Sequence, residues 1–137
     1  MYKRQTEHFG WHFLADCSLM EEKRDESMGL YRKALALCRD VADRLEMSFE
    51  VQGVAMSLAE RDPVQAVRLA AAAFAEWGRI GAAPSIRFWN ALLEHNLGLA
   101  RARLDADAVA RAEAEGRAMP FDRAVEIALG EPAPGGT

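Results

Sequence analysis

The sequence lacks most features that would point to a particular chemistry. Only 2 of its 137 residues are cysteine, too few for a disulfide framework. β-branched residues are sparse and no alternating apolar-polar run stands out, so strands are not expected. The net charge of −4 gives no reason to expect nucleic acid or an anionic membrane as a partner. The longest apolar run, residues 69–75, is too short to span a bilayer, and the opening MYKRQTEHFG lacks the apolar segment of a signal peptide.

Signatures of catalysis are also missing. The chain has no Gly-x-Ser-x-Gly turn and no Gly-x4-Gly-Lys phosphate loop. Its carboxylates are interleaved with arginines, which is typical of solvated helix surfaces. We therefore expect a protein that is not an enzyme and that holds no cofactor.

The residues that are present indicate helices. Half of the chain is hydrophobic, and Ala, Leu, Arg and Glu dominate, a composition typical of all-α proteins. Apolar residues recur at helical spacing in about seven segments, which we place at residues 6–20, 26–45, 46–60, 63–80, 86–104, 107–115 and 121–129. Two neighbouring helices paired as a hairpin are too thin to bury their own apolar face. The pattern therefore predicts helical hairpins stacked into a helical solenoid.

The ends and boundaries of these segments lead to further expectations. Residues 1–5 are polar and fit no capping pattern, which predicts a non-native or disordered start and a chain that is a fragment of a longer protein. Residues 6–129 would form the helical repeat domain, and residues 130–137 a disordered tail. Ser85 is expected to cap the fifth helix, and Gly116 to end the sixth in a left-handed conformation.

The first predicted hairpin resembles a tetratricopeptide repeat. The resemblance rests on large and small residues at the spacing of that repeat, namely Trp11, Leu14, Ala15, Ser27, Tyr31 and Ala34. Small residues at Ala15 and Ser27 would allow the two helices to approach closely. The second hairpin matches less well, because its turn is one residue short.

The remainder is similar to the C-terminal region of bacterial LuxR-type and other ATPase-containing transcriptional regulators, and of some adenylate-cyclase-linked ATPases. The segments that carry this resemblance are RDPVQAVRLAAAAFAEWGRIGAAPS and ARAEAEGRAMPFDRAVEIAL. The chain departs from such tails at Glu113, where an aromatic is usual, and at Pro120, where a Ser or Thr cap is usual. We interpret the final segment as a terminal cap rather than a DNA-reading motif, because Arg117 and Arg123 are balanced by nearby carboxylates.

The resemblance also implies a concave groove that binds a partner. The candidate partner-binding residues are Phe9, His12, Asp16, Leu19, Met20, Phe49, Gln52 and Met56. Repeats that hold a C-terminal carboxylate have Lys and Asn where this chain has His12 and Asp16, so such a clamp is not expected. His8, His12 and Asp16 share one helix face, which leaves metal binding and ordinary solvated side chains as alternatives. The three tryptophans are expected to fill space between helices.

These observations together predict a non-catalytic protein-interaction or regulatory module. By resemblance it would be the C-terminal helical-repeat part of a bacterial signalling ATPase or transcriptional regulator, located in the cytoplasm. Its partner would be a protein or peptide, including other domains of the parent chain, with no direct nucleic-acid contact and no membrane. The alternative is a stand-alone binding or dimerisation domain, which would form a homodimer.

Overall fold

The computed structural model describes the backbone of residues 2–132 and the side chains of residues 7–132. Within this range the chain is all-helical, with seven helices and no strand, which confirms the predicted fold class. The helices are α1 Tyr2–Met20, α2 Arg24–Asp40, α3 Arg44–Ser57, α4 Pro63–Ile80, α5 Arg87–Ala102, α6 Ala106–Ala118 and α7 Phe121–Leu129. Met1 of the predicted start and residues 133–137 of the predicted tail lie outside the described residues.

The first four helices form two antiparallel hairpins that pack side by side. Short turns join them, and each of the first two turns holds one non-glycine residue, Glu22 or Ala42, at positive φ. The small residues of the repeat pattern lie where helices meet, since Ala15, Ser27 and Ala34 are fully buried. A hydrogen bond of 2.7 Å between the Ser27 and Ser57 hydroxyls joins α2 to α3. These contacts agree with the hairpins predicted from the sequence, whereas stacking into an open solenoid stays a prediction.

Helix α3 lies at the centre of the molecule. Every residue from Met47 to Ser57 is buried, because α1, α2, α4, α5 and α7 all contact this helix. Helix α5 covers its face on the α1 side, where Trp89 donates a 2.7 Å hydrogen bond to the Gln52 side chain. Further along, the Asn96 amide lies 3.9 Å from the Met56 sulfur. Helix α5 thus runs parallel to α3 and covers it.

Helix α6 packs in parallel against α4, and Gly116 allows the close contact. A Cβ built on Gly116 would clash with the Arg68 carbonyl oxygen. The expected left-handed helix stop at Gly116 is wrong, because the helix continues to Ala118 and the positive-φ glycines are Gly81 and Gly130. The glycine is required for helix packing instead of for a turn.

Helix α7 packs on α2, α3 and α4. Its apolar residues Phe121 and Val125 are buried. The Arg32 guanidinium donates a 2.8 Å hydrogen bond to the Ala128 carbonyl, and Arg39 forms a two-bond ion pair of 2.9 Å with Glu131. Helix α7 therefore covers the apolar surface between these three helices of the first two hairpins. The expected cap on the last helix pair of a solenoid is wrong, because α7 does not pack mainly on α5 or α6.

Five helices have bounds that differ from the predicted ones, namely α1, α2, α3, α5 and α6. Helix α1 begins at Tyr2 instead of Thr6. Helix α2 ends at Asp40 instead of residue 45, because Asp43 caps α3 by accepting a hydrogen bond from the Glu46 backbone N–H. Ser85 does not cap α5: Ile86 precedes the helix and makes no side-chain cap.

Candidate functional site

An aromatic-lined cavity opens between the first half of α1, the start of α3 and the start of α5. We call it the aromatic cavity, and its volume is about 200 Å³. Its lining residues are Phe9, His12, Phe13, Asp16, Glu46, Phe49, Ile86, Phe88 and Trp89. Phe9 and Phe13 reach it together because they lie one helical turn apart on α1. The cavity therefore combines aromatic rings with two carboxyl groups.

The rim of the aromatic cavity is exposed, whereas its floor is buried. Phe13 is 63% exposed, and Phe88 and Ile86 are each 49% exposed. At the floor, the Trp89 ring lies 5.0 Å from the His12 ring and 5.9 Å from the Phe49 ring, measured between centroids. The exposed apolar side chains thus surround an opening that leads to a tightly packed aromatic base.

A chain of buried polar groups underlies this base. His12 Nδ1 donates to the Glu50 carboxylate, at 2.8 and 2.9 Å from its two oxygens. His12 Nε2 lies 3.4 Å from Asp16 Oδ2, and the Tyr31 hydroxyl donates a 2.6 Å hydrogen bond to Asp16 Oδ1. Both imidazole nitrogens therefore face carboxylates, which fixes the ring orientation beside Trp89.

Burial controls the protonation of these groups. Burial of Glu50 raises its pKa to about 7, although the hydrogen bond and the charge of His12 act in the opposite direction. Burial alone would lower the pKa of His12, but the hydrogen bond to Glu50 and the neighbouring carboxylates raise it overall. Burial also raises the pKa of Asp16, against the Tyr31 hydrogen bond. The folded site therefore favours the protonated forms of these groups.

The carboxylates around the aromatic cavity have only histidines as cationic partners among the described residues. His12 contacts Glu50 and Asp16, and His8 Nε2 lies 3.7 Å from Glu46 Oε2. No Lys or Arg of residues 7–132 lines the cavity or pairs with these three carboxylates. The site therefore carries an excess of negative charge when its histidines are neutral.

A second, more polar cavity of about 420 Å³ lies between the end of α1 and the middle of α5. We call it the distal cavity. It is lined by Leu19, Met20, Glu21, Glu22, Arg24, Phe88, Ala91, Leu92, His95 and Asn96. The Arg24 guanidinium donates a 2.6 Å hydrogen bond to the Asn96 side chain and thereby connects α2 to α5. Phe88 lines both cavities and lies between them.

The structure divides the predicted groove residues into three groups. Phe9, His12, Asp16 and Phe49 line the aromatic cavity. Leu19 and Met20 line the distal cavity instead. Gln52 and Met56 are fully buried beneath α5 and line neither cavity. Helix α5 therefore covers part of the surface that the repeat resemblance assigns to a partner.

The sequence prediction omitted the contribution of α5 and the buried acid of α3. Ile86, Phe88 and Trp89 reach the site only through the long-range packing of α5, for which local periodicity gives no signal. Glu50 did leave a signal, because it is a charged residue inside the apolar run MSFEVQGVAM. Trp89 fills space between helices as predicted and also forms the floor of the aromatic cavity.

The described residues contain neither a cluster of potential metal ligands nor a candidate membrane-spanning helix. No group of three or more His, Cys, Asp or Glu among them is arranged to hold a metal ion, including His8, His12 and Asp16. None of the helices in this part of the chain is both long and apolar enough to cross a membrane. Both cysteines are free thiols, with Cys17 exposed and Cys38 buried.

Comparisons of the chain with protein-family models, with curated proteins and with solved structures give no match. The resemblance to tetratricopeptide repeats and to LuxR-type regulators therefore stays a prediction from the sequence.

Proposed function

We propose that the protein is a non-catalytic interaction module that binds a segment of a partner protein at the aromatic cavity and its rim. The observation that carries the proposal is the group of exposed apolar side chains around one opening, formed by Phe9, Phe13, Ile86 and Phe88. Contiguous exposed apolar side chains with polar neighbours are typical of interaction sites on proteins.

The size of the aromatic cavity favours a peptide segment over a free small molecule. Small-molecule sites usually have volumes of about 300–1,000 Å³, whereas this cavity has about 200 Å³. Such a volume suits one anchoring side chain, with neighbouring residues of the segment resting on the exposed Phe13 and Phe88. A central buried anchor surrounded by apolar contacts is the usual distribution of binding energy at such sites.

The sequence resemblance supplies the wider context of the proposal. The module would be the helical-repeat part of a bacterial signalling ATPase or transcriptional regulator in the cytoplasm, and partner binding would shift the parent protein between states. The repeat-like spacing of the first hairpin supports this context. The alternative is a stand-alone binding or dimerisation domain that uses the same exposed side chains.

A peptide-display selection against the full chain tests the proposal. Selected peptides are synthesised, and their affinities are measured for the unmodified protein and for Phe13→Ser and Phe88→Ser. We expect each substitution to weaken binding by about three- to tenfold, because it removes an apolar rim contact worth about 0.6–1.4 kcal/mol while the pocket for the central anchor remains.

Leu14→Ser is the matched control. Leu14 is 54% exposed and adjacent to Phe13 in sequence, but it lines neither cavity. Peptides that bind Phe13→Ser and Phe88→Ser as tightly as the unmodified protein would place the interaction surface elsewhere. Circular dichroism of every variant verifies that the helices are retained.

A further inference from the structure

The aromatic cavity has the composition of a site for an organic cation. Ring faces attract cations electrostatically, and the attraction grows when the site is partly desolvated. Phe49 and Trp89 form the buried base, while Phe9, Phe13 and Phe88 surround the opening. Aromatic rings alone would accept any apolar group equally well, so the preference for a cation depends on the charges nearby.

The charged side chains at and beneath the aromatic cavity have more carboxylates than cations. Asp16 and Glu46 line the aromatic cavity, and Glu50 lies directly beneath His12. Three carboxylates therefore face two histidines, His8 and His12, and no other cationic side chain of residues 7–132 pairs with them. A partner cation would supply counter-charge that the side chains of residues 7–132 do not provide.

Asp16, the more buried of the two carboxylates that line the cavity, suits a compact ammonium better than a planar guanidinium. Asp16 already accepts a hydrogen bond from Tyr31 and faces His12, so it offers no free pair of oxygens for a two-bond contact. Glu46 is partly exposed, and its carboxylate is 3.7 Å from its nearest cationic neighbour, His8. An ammonium group needs only one such oxygen together with the ring faces.

We propose that the aromatic cavity binds the alkylammonium side chain of a lysine in the partner segment, with the methylene chain between the aromatic rings and the ammonium directed toward Glu46 and Asp16. The inference rests on the proposed function, because it names the anchoring residue of the segment bound there. Flanking apolar residues of the same segment would cover Phe13 and Phe88.

Three small probes of equal chain length test the preference for a cation on the unmodified protein. They are n-butylammonium, n-butanol and butyrate, each titrated at pH 8 while the indole N–H signal of Trp89 is followed by NMR and assigned with Trp89→Phe. We expect a saturable shift with n-butylammonium, at least about tenfold weaker binding of n-butanol, and no saturable shift with butyrate. Equal responses to n-butylammonium and n-butanol would overturn the proposal, as would tighter binding of butyrate.

Substitutions then test whether the Glu46 carboxylate attracts the ammonium group. Glu46→Gln is expected to weaken n-butylammonium binding by about three- to fivefold, the range of a partly exposed ion pair, and to leave n-butanol binding unchanged. Glu94→Gln is the matched control, because Glu94 is exposed on α5 and does not line the aromatic cavity. Equal weakening by both substitutions would show that overall charge, and not Glu46, governs binding.

The probe titrations and the peptide selection test the two proposals separately. If selected apolar peptides require Phe13 and Phe88 while n-butylammonium does not bind preferentially, the lysine inference is wrong and the proposed function stands. If neither the peptides nor n-butylammonium depends on the aromatic cavity, both proposals are wrong.

Discussion

Glu50 and His12 form the most consequential pair of single residues in the structure. Glu50 lies in the middle of the central helix α3 with none of its surface exposed, and within the described residues its hydrogen-bond partner is His12. Burying a carboxylate costs free energy unless it is paired, and the His12 contact offsets only part of that cost, because the pKa of Glu50 stays raised. The same contact fixes the ring that lies beside Trp89 in the aromatic cavity.

We predict that the protein loses stability as the pH rises from 5 to 8. The pKa of Glu50 is raised from 4.5 to about 7 on folding and that of His12 is raised from 6.5. Both groups therefore bind protons more tightly in the folded than in the unfolded state, so stability falls as the pH rises through this range. At about 1.4 kcal/mol per pKa unit, the loss due to Glu50 is on the order of 2–3 kcal/mol.

Urea unfolding at a series of pH values measures this loss. Glu50→Gln keeps a side chain of similar shape that cannot titrate, so the fall in the free energy of unfolding between pH 5 and 8 should become markedly smaller. Glu94→Gln on the exposed face of α5 should retain the dependence of the unmodified protein. If Glu50→Gln leaves the pH dependence of the free energy of unfolding unchanged, other groups take up the protons.

At the scale of elements, contacts between helices depend on small residues at particular positions. Helix α6 lies so close to α4 that only a residue without a Cβ fits at Gly116, whose built Cβ would also lie 2.8 Å from the Ala71 Cβ. The Arg68 guanidinium pairs with Glu115 at 2.6 Å across the same contact. Small residues therefore set the helix spacing, and one partly exposed ion pair lies beside them.

We predict opposite effects for two glycine-to-alanine substitutions in helices. Gly116→Ala must push α6 from α4 or distort both, and such overpacking costs about 1–3 kcal/mol. Gly98→Ala in α5 meets nothing within 4 Å, and it should stabilise the protein by about 0.5–1 kcal/mol because alanine loses less backbone entropy in a helix. Thermal unfolding of the two variants compares them directly. If Gly116→Ala leaves thermal stability unchanged, α6 moves freely on α4.

Element boundaries illustrate what the sequence could predict. Helical periodicity and the Asp62-Pro63 start located α4 correctly, because those signals are local. The turn at residues 41–43 also had a local signal in Asp43, but the apolar stripe of Leu37, Cys38 and Val41 favoured one long helix. The closeness of Gly116 to α4 and the position of α5 over α3 arise from contacts between distant residues. Phe9, His12, Asp16 and Phe49 of the aromatic cavity were therefore predicted, whereas its α5 wall was not.

At the scale of the whole molecule, α5 and α7 enclose the two hairpins from different sides. Helix α5 covers α3 beside α1, and α7 packs across α2, α3 and α4. The concave surface expected from the repeat resemblance is thereby reduced to openings between α1 and α5. One of these is the aromatic cavity, so the proposed binding surface is small and depends on α1 and α5 packing together against α3.

We predict that the isolated protein is monomeric. A twofold-symmetric dimer through the aromatic rim would place the same surface of each copy against the other, and Asp16 and Glu46 would then face their own counterparts. Close approach of like charges opposes such a contact, most strongly at low salt. Sedimentation equilibrium at pH 8 should therefore give the monomer mass of 15.1 kDa across a wide concentration range. A concentration-dependent dimer that Phe13→Ser abolishes and Leu14→Ser retains would favour the dimerisation alternative. A dimer unaffected by both substitutions would locate self-association on another surface and leave the aromatic cavity accessible to a partner.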